Sequence, residues 1–454
     1  MIGTTIATRR FAVALLRRML QVDLPASERS DEDVEAEASQ NYRWNFGVNL
    51  ADGALFMLAQ TFISATTILP FFVSRLTDNP FYIGLLAVIA HGGWFFPQLF
   101  SAGPIERTSR KKPWLINLGF FIERLPLMLL PATALLAVRA PGWALTLFFI
   151  IFAIYNLGAG IIAPAWQDLI AVCFPPTRRG RLMGIAMFTG TVAGALGAAG
   201  SSRILEAQPF PLNFMILFGL AAFVMLLGWV ALSLTREPVR RVRRSEENRL
   251  RIWTRLGRIL RRDRNFRRFL IARGLMAVSG MGMAFVTAAA VSRWDVSGGT
   301  VGNYTVALLV GQAAGNLLFG FLADRKGHKL SLVLGGLAAT LAYAMAWIAE
   351  TPFLYYVVFL LLGAYISAMI VSGLMIVLEF VGSEQRPTYA GITNSIIGAV
   401  HVVIPLVGGA LATISYDYLF AISAAAALLS ALLMRLWVAD PRHAGGEGQL
   451  APSA

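Results

Sequence analysis

Charged side chains are rare inside the long apolar stretches of this chain, so each one is a candidate for binding ions or moving protons. Glu123 and Arg124 are adjacent, roughly 15 Å along the helix expected there, and Arg273 lies in another apolar stretch. Adjacent residues of an α-helix point about 100° apart, so at least one of the two must find a partner inside the protein. An internal ion pair is the favoured interpretation, and a proton relay is the alternative.

A stripe of side chains runs along the first apolar stretch at steps of three or four residues, which places it on one helical face. It includes Asp52, Phe56, Gln60 and Ser64. Any single polar residue here is more readily explained by a hydrogen bond to a neighbouring helix. As a set, however, these faces predict a polar cavity for a small-molecule substrate. Polar and aromatic side chains of other apolar stretches join the set: Asn156, Gln312, Asn316, Tyr365, Ser372 and His401.

Acidic and basic residues recur together at the ends of the apolar stretches. A carboxylate at a helix end can pair with a nearby cation, and such ion pairs break when the helices move. They therefore predict a gate on one side of the membrane, and charge that only sets the topology is the alternative. The predicted gate residues are Glu106, Arg107, Asp168, Arg179, Asp324, Arg325, Glu379 and Arg386.

Membrane spans must position all of these residues. The chain has 454 residues, of which 57% are hydrophobic and 14% are charged, and this charged fraction is too low for a soluble protein of that size. Stretches long enough to cross about 30 Å of hydrocarbon recur from Phe46 onward, and we count twelve. The predicted spans are 46–74, 81–104, 113–137, 142–172, 183–203, 212–235, 267–292, 300–322, 329–348, 352–380, 388–414 and 416–437.

The distribution of basic residues predicts the orientation of these spans. Most Lys and Arg residues fall in the loops on the same side as the two chain ends, which predicts that both termini are cytoplasmic. The predicted location is the bacterial cytoplasmic membrane. We refer below to the predicted cytoplasmic side and the predicted external side in this sense.

The predicted organisation is two groups of six spans joined by a basic linker. The N-terminal tail carries a basic amphipathic segment, followed by an acidic stretch, Glu28 to Glu37, that is predicted to be disordered. Much of the formal net charge of +14 lies in the linker, which predicts contact with anionic lipid rather than with nucleic acid. The predicted segments are the tail 1–45, the first bundle 46–236, the linker 237–266, the second bundle 267–438 and the C-terminal tail 439–454.

One loop motif carries a family resemblance. The sequence GFLADRKGHK begins at Gly320 after the eighth span, and a weaker copy, AGPIERTSRKK, begins at Ala102 after the second span. In a chain with twelve predicted spans, this motif resembles the loop signature of the major facilitator superfamily. The resemblance implies an all-α membrane protein of two pseudo-symmetric six-helix bundles and a central cavity lined by spans 1, 4, 7 and 10. It also implies an inner gate at the helix-end charges.

The predicted function is secondary active transport by alternating access, with export of an amphipathic compound favoured and a proton or sodium ion as a coupling ion. Uptake of a metabolite and a non-transporting sensor or scaffold are the alternatives. The sequence has no GxxxxGK[ST] motif for ATP. A membrane enzyme is disfavoured because the four His residues are scattered, and with the single Cys173 no thiol metal cluster can form. No cofactor or metal site is predicted.

Overall fold

The computed structural model describes residues 14, 17–21, 30–239, 257, 259–373, 375–381 and 386–441. These residues form helices and no strand. Among them, eleven helices are long and apolar enough to cross a membrane. They correspond to predicted spans 2 to 12, and the first predicted span is present in two pieces. The all-helical membrane fold is therefore confirmed.

Span 1 is not the continuous helix that the apolar stretch predicted. It consists of Tyr42–Phe62 and Ile68–Ser74, and the chain between them leaves the helical path. Thr67 donates a hydrogen bond from its hydroxyl to that of Ser64 at 2.8 Å. Short hydroxyl side chains compete in this way with helical hydrogen bonding. The break means that the stripe from Asp52 to Gln60 does not continue on the same helical face through Ser64.

Several other spans are also interrupted. Span 2 divides at Pro97, which has no backbone N–H to donate. Span 3 begins with two π-helical turns, a wide form of helix that is often found at functional sites. The remaining helices, in chain order, are Phe81–Phe95 and Gln98–Glu106 in span 2, Trp114–Leu118, Phe120–Arg124 and Leu125–Arg139 in span 3, Pro141–Cys173 in span 4, Pro176–Ala207 in span 5, Leu212–Ser233 in span 6, Arg264–Ser279, Gly280–Gly282 and Phe285–Trp294 in span 7, Gly298–Lys326 in span 8, His328–Ile348 in span 9, Leu354–Ser372 and Met375–Glu379 in span 10, Arg386–Ile414 in span 11 and Tyr416–Leu436 in span 12.

Most of the acidic stretch predicted to be disordered is helical instead, over Asp31–Gln40. The Ser30 hydroxyl accepts from the backbone N–H of Asp33, whose carboxylate accepts from the backbone N–H of Ser30. This reciprocal capping satisfies two helix-terminal donors, and the acidic first turn also suits the helix dipole. Val34 and Ala38, four residues apart, are buried and anchor the helix. The prediction of disorder considered only the lack of large apolar residues and missed this cap. Residues 28 and 29 lie outside the described residues.

Two predictions about basic segments fall largely outside the described residues. The linker 237–266 is described only at its ends, and the N-terminal amphipathic segment only at residue 14 and residues 17–21. The Met19 carbonyl accepts from the Asn117 side chain at 2.7 Å, and Leu20 is buried. Contact of the linker with anionic lipid stays a prediction.

The chain divides into two compact units, and one of their boundaries, after Glu246, falls within the predicted linker whereas the others fall inside the first predicted bundle. Unit 1 comprises Met1–Ile63, Gly92–Gly194 and Pro209–Glu246, and unit 2 comprises Ser64–His91, Ala195–Gln208 and Glu247–Ala454. Unit 2 therefore contains pieces of spans 1, 2 and 5 as well as spans 7 to 12. These pieces come from the predicted external side of the first bundle.

Each unit has an apolar core near its predicted cytoplasmic side. In unit 1, Leu115 of span 3 packs with Ile162 and Leu169 of span 4. In unit 2, Phe266 and Phe269 of span 7 pack with residues of spans 9 to 12. These cores hold the helices that carry the candidate site residues.

Candidate functional site

A buried charge cluster lies in unit 1 and is centred on Arg124. Its guanidinium pairs directly with the carboxylate of Glu123, and the two residues are only 5% and 2% exposed. Both residues lie in the π-helical turn Phe120–Arg124, a form of helix that is often found at functional sites. The sequence analysis favoured an internal ion pair but expected the two adjacent side chains to diverge, so it did not predict that they would pair with each other.

Asp52 of span 1 belongs to the same cluster. Its carboxylate is buried, lies within electrostatic range of Arg124, and is close to Gly228 of span 6. One guanidinium is thus surrounded by two carboxylates, Glu123 and Asp52. If all three groups are ionised, the cluster carries one excess negative charge, and a single proton neutralises it. We name these three residues the Arg124 cluster.

Tyr155 of span 4 extends the cluster and was missed by the sequence analysis. Its hydroxyl donates to Oε1 of Gln60 at 3.1 Å, and it lies within electrostatic range of Arg124. The adjacent Asn156 was predicted instead, but its amide donates to the Phe152 carbonyl of its own helix at 2.8 Å. In a run of aromatic and aliphatic residues, nothing in the sequence distinguishes Tyr155 from an ordinary core residue. Phe56 is half-buried in the same unit.

A second buried arginine, Arg273 of span 7, lies in unit 2. It is 9% exposed, and its Nε has no hydrogen-bond partner among the described residues. Tyr365 of span 10 is within its electrostatic range and donates from its hydroxyl to the Met276 carbonyl at 3.2 Å. The Nη2 atom would lie 2.9 Å from a Cβ placed on Gly373, so the guanidinium lies against span 10. We name Arg273, Tyr365 and His401 the Arg273 site.

His401 of span 11 joins this site through its electrostatic interaction with Arg273. Its imidazole stacks on that of His91 from span 2, with the ring centroids 5.1 Å apart and the planes at 10°. The His91 Nδ1 lies 2.9 Å from the Ala87 carbonyl. Thus the structure groups three predicted residues, Arg273, Tyr365 and His401, in unit 2.

The other cavity candidates in unit 2 have local roles. Asn316 accepts a hydrogen bond from Ser367 at 2.7 Å, and Gln312, one helical turn earlier, is half-buried. Ser372 is fully buried and bonds His328 at 3.1 Å, near the predicted gate. Ser64 accepts from Thr67 at the break in span 1. Ser372 therefore lies with the gate residues of span 10.

In unit 1, the gate residues have partners that differ from those expected. Asp168 pairs with Lys111 at 3.6 Å. Arg179 instead donates to the carbonyls of Ala171 and Phe174, where it caps the end of span 4. Cations are favourable at this end of a helix because its last carbonyls are unsatisfied. Glu106 and Arg107 are exposed.

Glu237, which the sequence analysis did not select, ties this region together. Its carboxylate accepts from the backbone N–H groups of Lys111 and Lys112 at 2.6 and 2.9 Å. Burial raises the pKa of Glu237 and lowers that of Lys111. Burial therefore shifts the pKa values of ionisable groups of both signs at this loop of the predicted gate.

In unit 2, Glu379 lies 3.9 Å from Nε2 of His328, the residue that also bonds Ser372. Asp324 and Arg325 are exposed, and the Arg325 guanidinium lies 4.1 Å from the centroid of the Phe321 ring. The side chain of Arg386 lies outside the described residues. The gating role of the predicted residues remains a prediction in both units.

Unit 2 also contains a set of contacts between the two predicted six-span halves, which we name the seam. The Thr287 hydroxyl donates to the Thr66 carbonyl at 2.8 Å, and the Thr305 hydroxyl donates to that of Thr67 at 2.7 Å. Ser202 of span 5 donates to the Gly299 carbonyl at 2.7 Å. All of these residues lie toward the predicted external side.

Glycines allow the backbones to approach closely at the seam. A Cβ on Gly84 of span 2 would lie only 2.6 Å from the Pro405 carbonyl oxygen of span 11, and one on Gly302 of span 8 would collide with Ser202. Small residues serve membrane helices in this way. The seam is therefore tightly packed, but its hydrogen bonds come mostly from single hydroxyl groups.

Comparison with known proteins gives a consistent family. A model of the Major Facilitator Superfamily matches residues 124–292 and 274–452. "Multidrug resistance protein 1" of Bacillus subtilis is 26% identical over 176 residues, covering 38% of this chain and 45% of that protein. "Probable anion transporter 4, chloroplastic" of Arabidopsis thaliana is 33% identical over 79 residues, covering 17% and 15%. The chain thus matches less than half the length of each of these relatives.

Solved structures of transporters share the fold. A D-xylose–proton symporter aligns with a TM-score of 0.66 and 16% identity, covering 88% of this chain and 99% of that one. A POT family transporter in complex with 5-aminolevulinic acid aligns with a TM-score of 0.66 and 11% identity, covering 87% and 96%. At these identities the similarity concerns the fold, and that fold is the one used by transporters.

Proposed function

The chain belongs to the major facilitator superfamily, and on that premise we propose that it is a secondary active transporter that moves a small molecule by alternating access. The seam is the observation that supports this proposal most directly. It joins the two predicted halves through hydroxyl hydrogen bonds and close helix contacts, within one compact unit. Alternating access requires such a contact to form and separate in each cycle.

The Arg124 cluster supports coupling to a proton. Glu123 and Asp52 lie on different helices beside one guanidinium, and the ionised cluster needs one proton to become neutral. Intramembrane carboxylates arranged in this way are suited to proton relays. Gaining or losing that proton would change the attraction between span 1 and span 3. Sodium coupling is the alternative from the sequence.

For substrate and direction, we propose export of an amphipathic compound from a bacterial cell, with both termini cytoplasmic. Two observations support this choice. The partial similarity to a multidrug resistance protein is one. The other is that aromatic side chains lie beside the polar candidates, including Tyr155 next to Gln60 and Tyr365 next to Arg273. Uptake of a metabolite is the alternative within the same mechanism.

A reversible cross-link across the seam tests alternating access. Thr67 and Thr305 are replaced by cysteine in a Cys173→Ala background, which removes the native thiol. The hydroxyl oxygens are 2.7 Å apart, so a disulfide is geometrically accessible. We expect oxidation to stop transport in proteoliposomes and a reductant to restore it. The single T67C protein, treated identically, is the control.

The assay follows three probes above the rate in protein-free liposomes: ethidium, 4-phenylbutyrate and 4-phenylbutanamide. Imposed pH and sodium gradients of either sign then distinguish export from uptake and one coupling ion from the other. If no gradient drives any probe, the proposal of coupled transport of an amphipathic compound is wrong. If the cross-linked protein transports at the uncross-linked rate, the seam does not need to open.

A further inference from the structure

Arg273 is a buried cation for which the described residues supply no carboxylate within ion-pair distance. Within the part of the chain that the structure describes, its Nε has no hydrogen-bond partner, and its side chain is nine-tenths buried. The residue lies about nine positions into span 7, roughly 14 Å along the helix and therefore near the middle of the hydrocarbon. Arg273 therefore lies too deep in the membrane to set the orientation of its span, and it is not part of an internal ion pair among the described residues.

An unpaired charge in such a place is costly. Moving a charged group from water into a protein interior costs on the order of several kcal/mol, and this cost is offset only by a counter-charge with good geometry. A guanidinium cannot escape this cost by losing its proton, because arginine stays protonated in proteins. A bound anion would supply what the protein does not.

We propose that Arg273 binds the carboxylate of a monoanionic substrate, and that Tyr365 and His401 form the walls of this subsite. This inference rests on the proposed transport function and specifies the substrate class of the same protein. The planar guanidinium donates two parallel N–H groups, which match the two oxygens of a carboxylate. One arginine balances one negative charge, so a monoanion fits the local charge better than a dianion.

The surroundings of Arg273 suit a substrate with an apolar part. The Tyr365 hydroxyl donates to the Met276 carbonyl, and the Tyr365 ring offers an apolar surface. The stacked rings of His401 and His91 provide a flat surface beside the charge. Gly373 leaves room for the guanidinium, since a Cβ there would crowd Nη2.

A ligand titration of the purified full-length protein tests this subsite directly. The probes are 4-phenylbutyrate, which has a carboxylate on an apolar tail, and its neutral and cationic analogues, 4-phenylbutanamide and 4-phenylbutylamine. A ligand that binds the folded protein raises its apparent melting temperature. For the wild type we expect a rise with the carboxylate alone.

Three variants locate the effect. Arg273→Gln should abolish the rise with 4-phenylbutyrate. Arg273→Lys keeps the charge and is therefore expected to fold even if Arg273→Gln does not. Because lysine lacks the forked geometry of the guanidinium, Arg273→Lys should raise the midpoint concentration for 4-phenylbutyrate at least about tenfold. Arg293→Gln removes an arginine that pairs with Asp417 at 2.6 Å instead, and should respond as the wild type does.

The outcomes separate this inference from the transport function. If the amide stabilises the wild type as well as the carboxylate does, if no probe stabilises it, or if both Arg273 variants respond as the wild type does, the carboxylate subsite is wrong. Gradient-driven transport that continues with only neutral or cationic probes would then leave the transporter proposal standing. Carboxylate binding that depends on Arg273, with no gradient-driven flux, would instead support the subsite and contradict the transporter proposal.

Discussion

The two buried arginines differ in what surrounds them. Arg124 in unit 1 has Glu123 as a direct partner and Asp52 within electrostatic range. Arg273 in unit 2 has a tyrosine and a histidine nearby and no carboxylate within ion-pair distance among the described residues. Both are almost fully shielded from water. The charge of Arg124 is therefore balanced within the protein, whereas that of Arg273 has no carboxylate to balance it among the described residues.

This difference suggests a division of labour. A balanced cluster with a surplus carboxylate can gain and lose a proton without leaving a large net charge inside the membrane. A cation without a counter-charge is suited to hold an anionic ligand. Unit 1 would then bind the coupling proton and unit 2 the anionic substrate, and substitutions in each unit can test this assignment.

The largest expected effect comes from replacing each arginine with methionine. Arg124→Met leaves two buried carboxylates without their cation, which should cost about 3–5 kcal/mol of unfolding free energy. Arg273→Met removes a charge that has no carboxylate partner, so it should leave stability unchanged or raise it. The stabilities of the two variants are compared through their apparent melting temperatures, measured in the same detergent without ligand. A loss of stability in Arg273→Met as large as that in Arg124→Met would contradict the comparison.

Asp52→Asn should have a smaller effect on stability and a specific effect on transport. Glu123 still balances Arg124, so the coupling free energy lost between Asp52 and Arg124 is on the order of 1 kcal/mol. The surplus carboxylate is gone, however, so transport driven by a pH gradient should fall to the rate without a gradient. Asp78→Asn, in the loop before span 2, is the control. A pH-driven rate that survives in Asp52→Asn would remove Asp52 from the coupling mechanism.

The sequence predicted more of the fold than of the contacts. Long apolar stretches located the spans because crossing the membrane imposes a minimum length on each helix. The break in span 1 was missed because Ile63 to Thr67 is too short an interruption to end an apolar stretch. The pairing of Glu123 with Arg124 was missed because the angle between adjacent positions takes no account of the length of the two side chains, whose charged ends can meet although their Cβ atoms diverge.

The contacts that were missed are those between distant parts of the chain. Thr67 and Thr305 are 238 residues apart, and no spacing rule relates them. Arg179 was expected near Asp168 because both lie at one helix end. Instead, it donates to the unsatisfied carbonyls at the end of span 4. By contrast, Asp52, Arg124 and Arg273 could be selected from residue type alone, since a charge inside an apolar stretch needs a reason to be there.

Removing the hydroxyl of Tyr155 or of Tyr365 tests whether the tyrosines beside the two arginines differ in their role. Tyr155→Phe loses the hydrogen bond to Gln60, and Tyr365→Phe loses the one to the Met276 carbonyl, each worth about 1 kcal/mol. The two variants should therefore have similar melting temperatures. Only Tyr365→Phe should change the midpoint concentration for 4-phenylbutyrate. Equal ligand responses in the two variants would show that Tyr365 does not line the anion subsite.

The smallest expected change in stability comes from removing the Glu123–Arg124 pair as a whole. The double variant Glu123→Gln with Arg124→Met replaces the buried ion pair by neutral side chains and loses only the attraction between Asp52 and Arg124, so its unfolding free energy should stay within about 1 kcal/mol of the wild type. Its recovery relative to Arg124→Met alone would identify the orphaned Glu123 carboxylate as the main cause of the loss in that variant. The stable double variant then allows a clean test of coupling. Loss of pH-driven transport would assign the pair to the proton path, whereas unchanged transport would assign it to structure and leave Asp52 as the coupling carboxylate.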